Sequence, residues 1–251
     1  MIDPKGNPFY SHSYIFNFGV PTEHTGGYVV WHANPIVDIY AGGDSGSNTT
    51  FGSGDNNGVG AGLAGFGLNN LLGGKLTVLA LTHFGPENPT RTVPNANSEF
   101  RYENDVVITY KPTDKLSFTA ELNYIRDDAF RADGYGAAQY ASYALSDQLT
   151  LNGRAEVWRD NKGFFVAAFP GNHDFVNSEL GLPARTIIAP PTTYSEFTLG
   201  VTYKPPVPAP ISTLLLRPEI RYDRSLNGTH PFNGGRDAGA FTIAADAILG
   251  F

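Results

Sequence analysis

The sequence predicts an all-β protein, an antiparallel up-and-down transmembrane β-barrel of about twelve strands, and three observations carry that expectation. The first is the C-terminal segment. Phe241, Ile243, Ala245, Ala247, Leu249 and Phe251 alternate with Thr242, Ala244, Asp246, Ile248 and Gly250. Successive side chains on a strand point to opposite faces, so one face is wholly apolar with aromatics at both ends. A strand crossing a bilayer at a tilt needs that pattern. The second observation is a regular alternation of short and long connections. The third is an aromatic content of 13%, with 13 Tyr and 17 Phe, the residues of interfacial girdles.

Strands are expected near 10–18, 26–33, 36–42, 57–67, 74–84, 101–111, 115–126, 134–145, 148–159, 194–204, 212–223 and 240–251, punctuated by Gly, Pro, Asn and Asp clusters. Several alternate clearly. Leu116, Phe118, Ala120, Leu122 and Tyr124 oppose Ser117, Thr119, Glu121 and Asn123. Leu149, Leu151, Gly153, Ala155 and Val157 oppose Asn152, Arg154 and Glu156. Phe197, Leu199, Val201 and Tyr203 oppose Glu196, Thr198 and Thr202. Leu214, Leu216, Ile220 and Tyr222 oppose Arg217, Glu219, Arg221 and Asp223.

The connections 34–35, 69–73, 112–114, 146–147 and 205–210 are short; those at 19–25, 43–56, 85–100, 127–133, 160–193 and 224–239 are generally longer. Short turns at one end and long loops at the other follow the outer-membrane pattern, with short turns periplasmic. A short repeat agrees with it. Val107-Ile-Thr-Tyr-Lys-Pro112 and Gly200-Val-Thr-Tyr-Lys-Pro205 both end strands at expected periplasmic turns. Tyr110 and Tyr203 would sit at headgroup level, Lys111 and Lys204 would reach water, and the prolines would stop pairing.

Composition bounds the function. The 251 residues suit one barrel domain, 1–251. Mean hydropathy is −0.21, and the longest apolar runs, such as Phe164–Phe169, fall far short of a membrane helix. Net charge −7 opposes nucleic-acid binding, and the lack of cysteine removes thiol chemistry. Met1–Phe9 has no apolar h-region; an exported barrel should have a signal peptide, so either it was removed or the chain lacks the start of a longer protein.

Charges on the polar faces of otherwise apolar strands are the main candidate chemistry. Glu121, Arg154, Glu156, Arg217, Glu219, Arg221, Asp223 and Asp246 are the expected pore-lining residues. In a water-filled lumen such mixed charges pair across strands and set a transverse field that screens small polar solutes. In a soluble β-sandwich binding module they would be an ordinary solvated face. An outer-membrane hydrolase acting at the rim is another alternative, with Asp127, Asp128 and His173 or His230 in expected extracellular loops. Loops carry Asp and His routinely, so loop solvation is the plainer reading. Gly60-x-Gly62-x-x-Gly65 matches a dinucleotide fingerprint in spelling only, because no helix pattern follows, and reads better as a glycine-rich inner face. Gly43-Asp-Ser-Gly46 reads as a turn, with only His12, His24 and His32 before it. Asp55-Asn-Asn-Gly58 reads as a solvated loop, lacking the spacing of a calcium loop. The loop at 160–193, with Phe164–Phe169 and Ile187–Ala189, is too apolar to be solvent filler and is expected to fold into the lumen and constrict it.

Five pieces carry a family resemblance. They are Ser13–Gly26 (SYIFNFGVPTEHTG), Gly54-Asp-Asn-Asn57, Phe84-Gly-Pro-Glu87, Arg154-Ala-Glu-Val-Trp-Arg-Asp160, and Arg217-Pro-Glu-Ile-Arg-Tyr-Asp-Arg-Ser225 with terminal Phe251. Together they resemble the OmpL-like β-barrel porins of Gram-negative outer membranes. The resemblance implies a passive diffusion porin of the bacterial outer membrane, with no catalytic residues, no cofactor and no metal. Its partners would be outer-membrane lipid, small polar solutes and, by analogy with other porins, further copies of the chain. Members of that family typically have further strands before the piece resembling Ser13–Gly26, so the chain would be a C-terminal portion of a larger barrel.

Overall fold

The computed structural model describes residues 6–50, 55–172, 174–180, 182 and 189–251. Its strands are β1 (Gly26–His32), β2 (Val37–Asp44), β3 (Ala61–Asn70), β4 (Leu76–Pro86), β5 (Phe100–Tyr110), β6 (Leu116–Asp127), β7 (Ala132–Ala144), β8 (Leu149–Asp160), β9 (Thr192–Tyr203), β10 (Thr213–Ser225) and β11 (Gly239–Gly250). They form one 11-stranded up-and-down sheet in which every strand pairs antiparallel with its neighbours in the chain, and β1 and β11 stand at the edges. Connections at 33–36, 71–75, 111–115, 145–148 and 204–212 leave one end of the sheet and those at 45–60, 87–99, 128–131, 161–191 and 226–238 the other; in the second set 128–131 is as short as a turn and the rest are longer. The expected parity holds.

The expected twelfth strand, 10–18, is not a strand. Residues 6–14 are irregular and Ile15–Gly19 forms one π-helical turn; the whole segment lies against the inner face of β6–β10. The alternation of Tyr10, Tyr14, Phe16 and Phe18 resembles strand patterning, but the backbone N–H groups here find buried carboxylates instead of a neighbouring strand. Each such group needs some partner, and an ionised acid is a strong one. The strand expected from 57 also starts later. Asp55 accepts the N–H of Asn57 and Gly58 in a turn, Gly58 takes a positive φ of 71°, and pairing begins at Ala61.

Register fixes the two faces. On the outer face, Tyr110, Phe118, Tyr143 and Tyr203 cluster at the short-turn end. Tyr102, Tyr124, Tyr135, Phe197, Tyr222 and Phe241 cluster at the loop end, with Tyr124 opposite Tyr135 and Tyr222 flanked by Phe197 and Phe241. Leu122, Leu151, Leu199, Ile220 and Ile243 fill the band between them and are exposed. Along β7, Tyr135 to Tyr143 spans roughly 26 Å of strand, or roughly 20 Å once tilted by about 40°, close to the height of an outer-membrane apolar band. Phe251 is 85% exposed on this face, as the terminal alternation requires.

The inner face is charged at mid-height and apolar toward the loops. Trp158, Ile125, Tyr194, Tyr14, Ile15, Phe164, Phe165, Val166 and Phe175 form a buried cluster there. Trp158 has room because Gly134 and Gly136 face it; a Cβ on Gly136 would lie 2.5 Å from the Val157 carbonyl and 2.8 Å from the Trp158 ring. Gly65 and Gly67 also face inward, but Gly62 lies on the outer face beneath Phe84, so the expected glycine-rich inner face begins later than predicted.

Candidate functional site

All eight predicted lining residues lie on the inner face, because the register places Arg154 beside Thr198, Glu156 beside Glu196, Arg221 beside Thr198 and Arg217 beside Asp246. The structure brings most of them onto residues 7–15. Glu156 accepts the N–H groups of Tyr14 at 2.6 Å and Ile15 at 2.8 Å, and Glu219 accepts those of Tyr10 at 2.9 Å and Ser11 at 3.2 Å. The arginines take the carbonyls of the same segment. Arg154 donates to Ser11 O at 2.9 Å, Arg221 to His12 O at 2.6 Å, and Arg217 to Asn7 O. Asn123 reaches Gly19 O at 3.0 Å.

Each arginine is also paired with an acid. Arg154 pairs with Glu196, Arg217 with Asp246, and Arg221 with Asp223 at 2.6 Å. Rings cover two of them: the Arg154 guanidinium lies 5.0 Å from the Phe9 ring centroid and that of Arg221 5.5 Å from Tyr14, whose hydroxyl donates to Asp223 at 2.9 Å. Glu121 takes a hydrogen bond from the Tyr140 hydroxyl at 3.1 Å, and among the described residues neither it nor Asp246, which bonds Arg217, hydrogen-bonds the segment's backbone.

Glu121 instead borders a cavity of about 390 Å³ between residues 6–16 and β5–β8, which Arg154, Tyr140, His12 and Thr109 also line. A second cavity, about 770 Å³, opens at the short-turn end beside Lys75, Lys111 and Lys115. Lys111, Ser117 and Ser142 border both. Open space therefore runs from the short-turn end up the β5–β8 side of the inner face, with Lys111, Glu121 and Arg154 among its borders.

The described part of the loop expected to fold inward does so. The Asp160 carboxylate accepts the backbone N–H groups of Lys162, Gly163, Phe164, Phe165 and Val166 at 2.7–3.2 Å, which turns Phe164 and Phe165 down onto Trp158 and Tyr14. Ala189 is buried, while Ile187 and Ile188 lie outside the described residues. The neighbouring loop joins it through Asn88, which binds both Asp127 and Ser178. In that loop burial pushes the Glu87 carboxyl up to about 7, against the pull of the Arg101 charge.

Among the described residues, the expected rim residues are not gathered into a catalytic set. Asp127 is fully buried, with Arg101 and Asn88 each 3.1 Å from its carboxylate; Asp128 pairs with Arg126 at 2.6 Å; His230 is exposed. His173 lies outside the described residues. Sequence reasoning missed Trp158, Asp160 and Tyr14 as inner-face residues. The signal for Trp158 was its even spacing from Arg154 and Glu156, masked by its apolar character. Asp160 and Tyr14 act through backbone partners that no spacing reveals.

The chain matches, over residues 1–251, the profile of the family described as "Putative beta-barrel porin-2, OmpL-like". No curated protein matches it significantly. Among solved structures it is similar to OmpT, an outer membrane protein of Vibrio cholerae, at 14% identity and a TM-score of 0.54, covering 96% of this chain and 71% of that one. It is also similar to the outer membrane channel DcaP of Acinetobacter baumannii, at 12% identity and a TM-score of 0.50. That match covers 92% of this chain and 65% of that one, so the chain spans under two thirds of DcaP's length. At such identities the structural likeness speaks for the fold alone, and the family assignment rests on the full-length profile match. With its girdled outer face and charged inner face, the chain belongs to the OmpL-like family of β-barrel porins of the bacterial outer membrane.

Proposed function

We propose that the protein allows passive diffusion of small polar solutes across the outer membrane, and that solutes pass along the β5–β8 side of the inner face. The observation that supports this is the pair of cavities sharing Lys111, Ser117 and Ser142, which leaves open space beside the inward segment. The eight lining residues then have two roles. Glu121 and Arg154 border the path, and Arg154, through Ser11, joins Glu156, Arg217, Glu219, Arg221, Asp223 and Asp246 in holding or supporting the segment that narrows it. The work is transport without a covalent step; the engagement of Asp127 by Arg101 and Asn88 favours this over hydrolysis at the rim. Association with further copies of the chain in the membrane belongs to the same proposal.

Single-channel recording in a planar bilayer tests it. The expected result is an ohmic, non-rectifying conductance that falls when Ser142→Trp fills the strip common to both cavities. A wild-type protein that inserts and passes no current overturns the proposal. So does a Ser142→Trp current equal to wild type.

A further inference from the structure

Away from the inward segment, at the loop end of β2 and β4, three carboxylates converge on one imidazole. His83 on β4 is 3% exposed. Its Nε2 lies 3.0 Å from Asp44 Oδ1 at the end of β2, and its Nδ1 lies 3.2 Å from Glu103 Oε2 on β5. Glu87 is buried too, and among the described residues its Oε1 has no hydrogen-bond partner and stands 3.9 Å from His83 Nδ1. His24, just before β1 and open to solvent, stacks on His83 with centroids 5.6 Å apart and planes 4° from parallel. One donor atom from each of His24, Asp44 and His83 lies within 4.8 Å of the other two.

We infer that His24, Asp44 and His83 form a binding site for a divalent transition-metal cation of the zinc class. Two imidazoles with one carboxylate favour such an ion over calcium or magnesium, which prefer all-oxygen shells. Metal–ligand distances of about 2.0–2.2 Å place tetrahedral donors roughly 3.3 Å apart, so Asp44 and His83 are already spaced for it. The exposed His24 ring has about 1.5 Å or less to close and must turn out of its stack on His83, because an imidazole binds a metal in its ring plane. Glu103 supplies the outer partner that metal-bound histidines usually have: with Nδ1–H donating to it, Nε2 turns its lone pair toward Asp44 and His24. Three protein ligands leave a fourth position for water or a solute group. A bound cation would tie the segment before β1 to β2 and β4 at the loop end of the sheet.

Cobalt(II) is the probe, titrated into tag-free full-length protein folded in detergent and read by its visible absorption. Saturation at one equivalent with a tetrahedral spectrum is expected, with two imidazole ligands in the X-ray absorption of the complex. His24→Gln and Asp44→Asn should each weaken binding at least tenfold, and Glu103→Gln by roughly 10- to 100-fold. His230→Gln, on the exposed β10–β11 connection, should leave it unchanged. His24 is the deciding position, because its exposure makes a folding defect a poor explanation for lost binding. Absence of saturable binding in the wild type, or affinity unchanged in His24→Gln, overturns the inference and leaves a buried ion-pair cluster around His83.

Discussion

The Glu156 carboxylate holds the backbone of Tyr14 and Ile15 by two hydrogen bonds of 2.6 and 2.8 Å, across 142 and 141 residues of chain. A buried acid that receives main-chain donors fixes a segment's position without asking for a strand. That contact separates the observed fold from the expected one.

Glu156→Gln keeps the shape and removes the charge. One of its oxygens becomes an NH2 group facing a backbone N–H, so a donor meets a donor. A hydrogen bond to a charged group contributes about 1.5–3 kcal/mol, so unfolding in detergent should show a loss of about 2 kcal/mol. Released from this contact, residues 7–19 should spend time away from the sheet, and mean conductance should rise. A stability loss with unchanged conductance would separate the two effects and remove the segment from the permeation path.

Selectivity should follow the charges on the remaining path. Glu121 and Lys111 both border the smaller cavity. Glu121→Gln should move the reversal potential in a salt gradient toward anion preference, and Lys111→Gln should move it toward cations. Both shifts should shrink between 0.1 and 1 M salt, where the screening length falls from about 10 to about 3 Å. Shifts in the same direction for the two variants would contradict a path along β5–β8.

Much of the fold was legible because lipid imposes period-two alternation on every strand: the outer sets of β6, β8, β9, β10 and β11 were read residue by residue, and the register confirms them. What alternation cannot report is the occupant of the inner face. Apolar residues at Tyr14 and Phe16 have the same spelling whether they meet lipid or a buried cluster. Trp158 was illegible for the same reason, being an apolar residue on the polar side. The charges on β10 were found as a set, yet their partners are the carbonyls of Asn7 and His12, more than 200 residues away. Main-chain partners carry no sequence signature. His24, Asp44 and His83 come from three separate segments, with no ligand spacing to mark them.

Asp160 is the test of the folded loop. Its carboxylate serves five consecutive N–H groups, from Lys162 to Val166, as an anion does when a turn wraps around it. Asp160→Asn leaves one oxygen for those donors. Limited proteolysis should then cut between Asp160 and Thr192 several-fold faster, while far-ultraviolet circular dichroism of the sheet stays unchanged. Single-channel traces should become noisier as Phe164 and Phe165 leave Trp158. Wild-type cleavage rates in Asp160→Asn would show that the aromatic packing alone holds the loop.

The outer face makes a prediction in depth. Leu199 on β9 is 45% exposed and lies between Phe197 and Tyr203, with Gly153 and Ile220 beside it on the neighbouring strands. If those aromatics mark the two membrane interfaces, Leu199 sits in hydrocarbon and Tyr203 near the headgroups. An arginine at the midplane of an outer-membrane barrel costs about 2–4 kcal/mol, falling to about 0–1 near an interface. Leu199→Arg should therefore destabilise the protein folded in lipid vesicles several times more than Tyr203→Arg, as measured by urea unfolding. In detergent micelles, which adapt their shape, the difference should narrow. Thr198→Arg would be poor evidence, because Thr198 faces the Arg154–Glu196 pair and its cost there is charge crowding and volume. Equal costs at Leu199 and Tyr203 in vesicles would mean that the girdles do not bracket the bilayer.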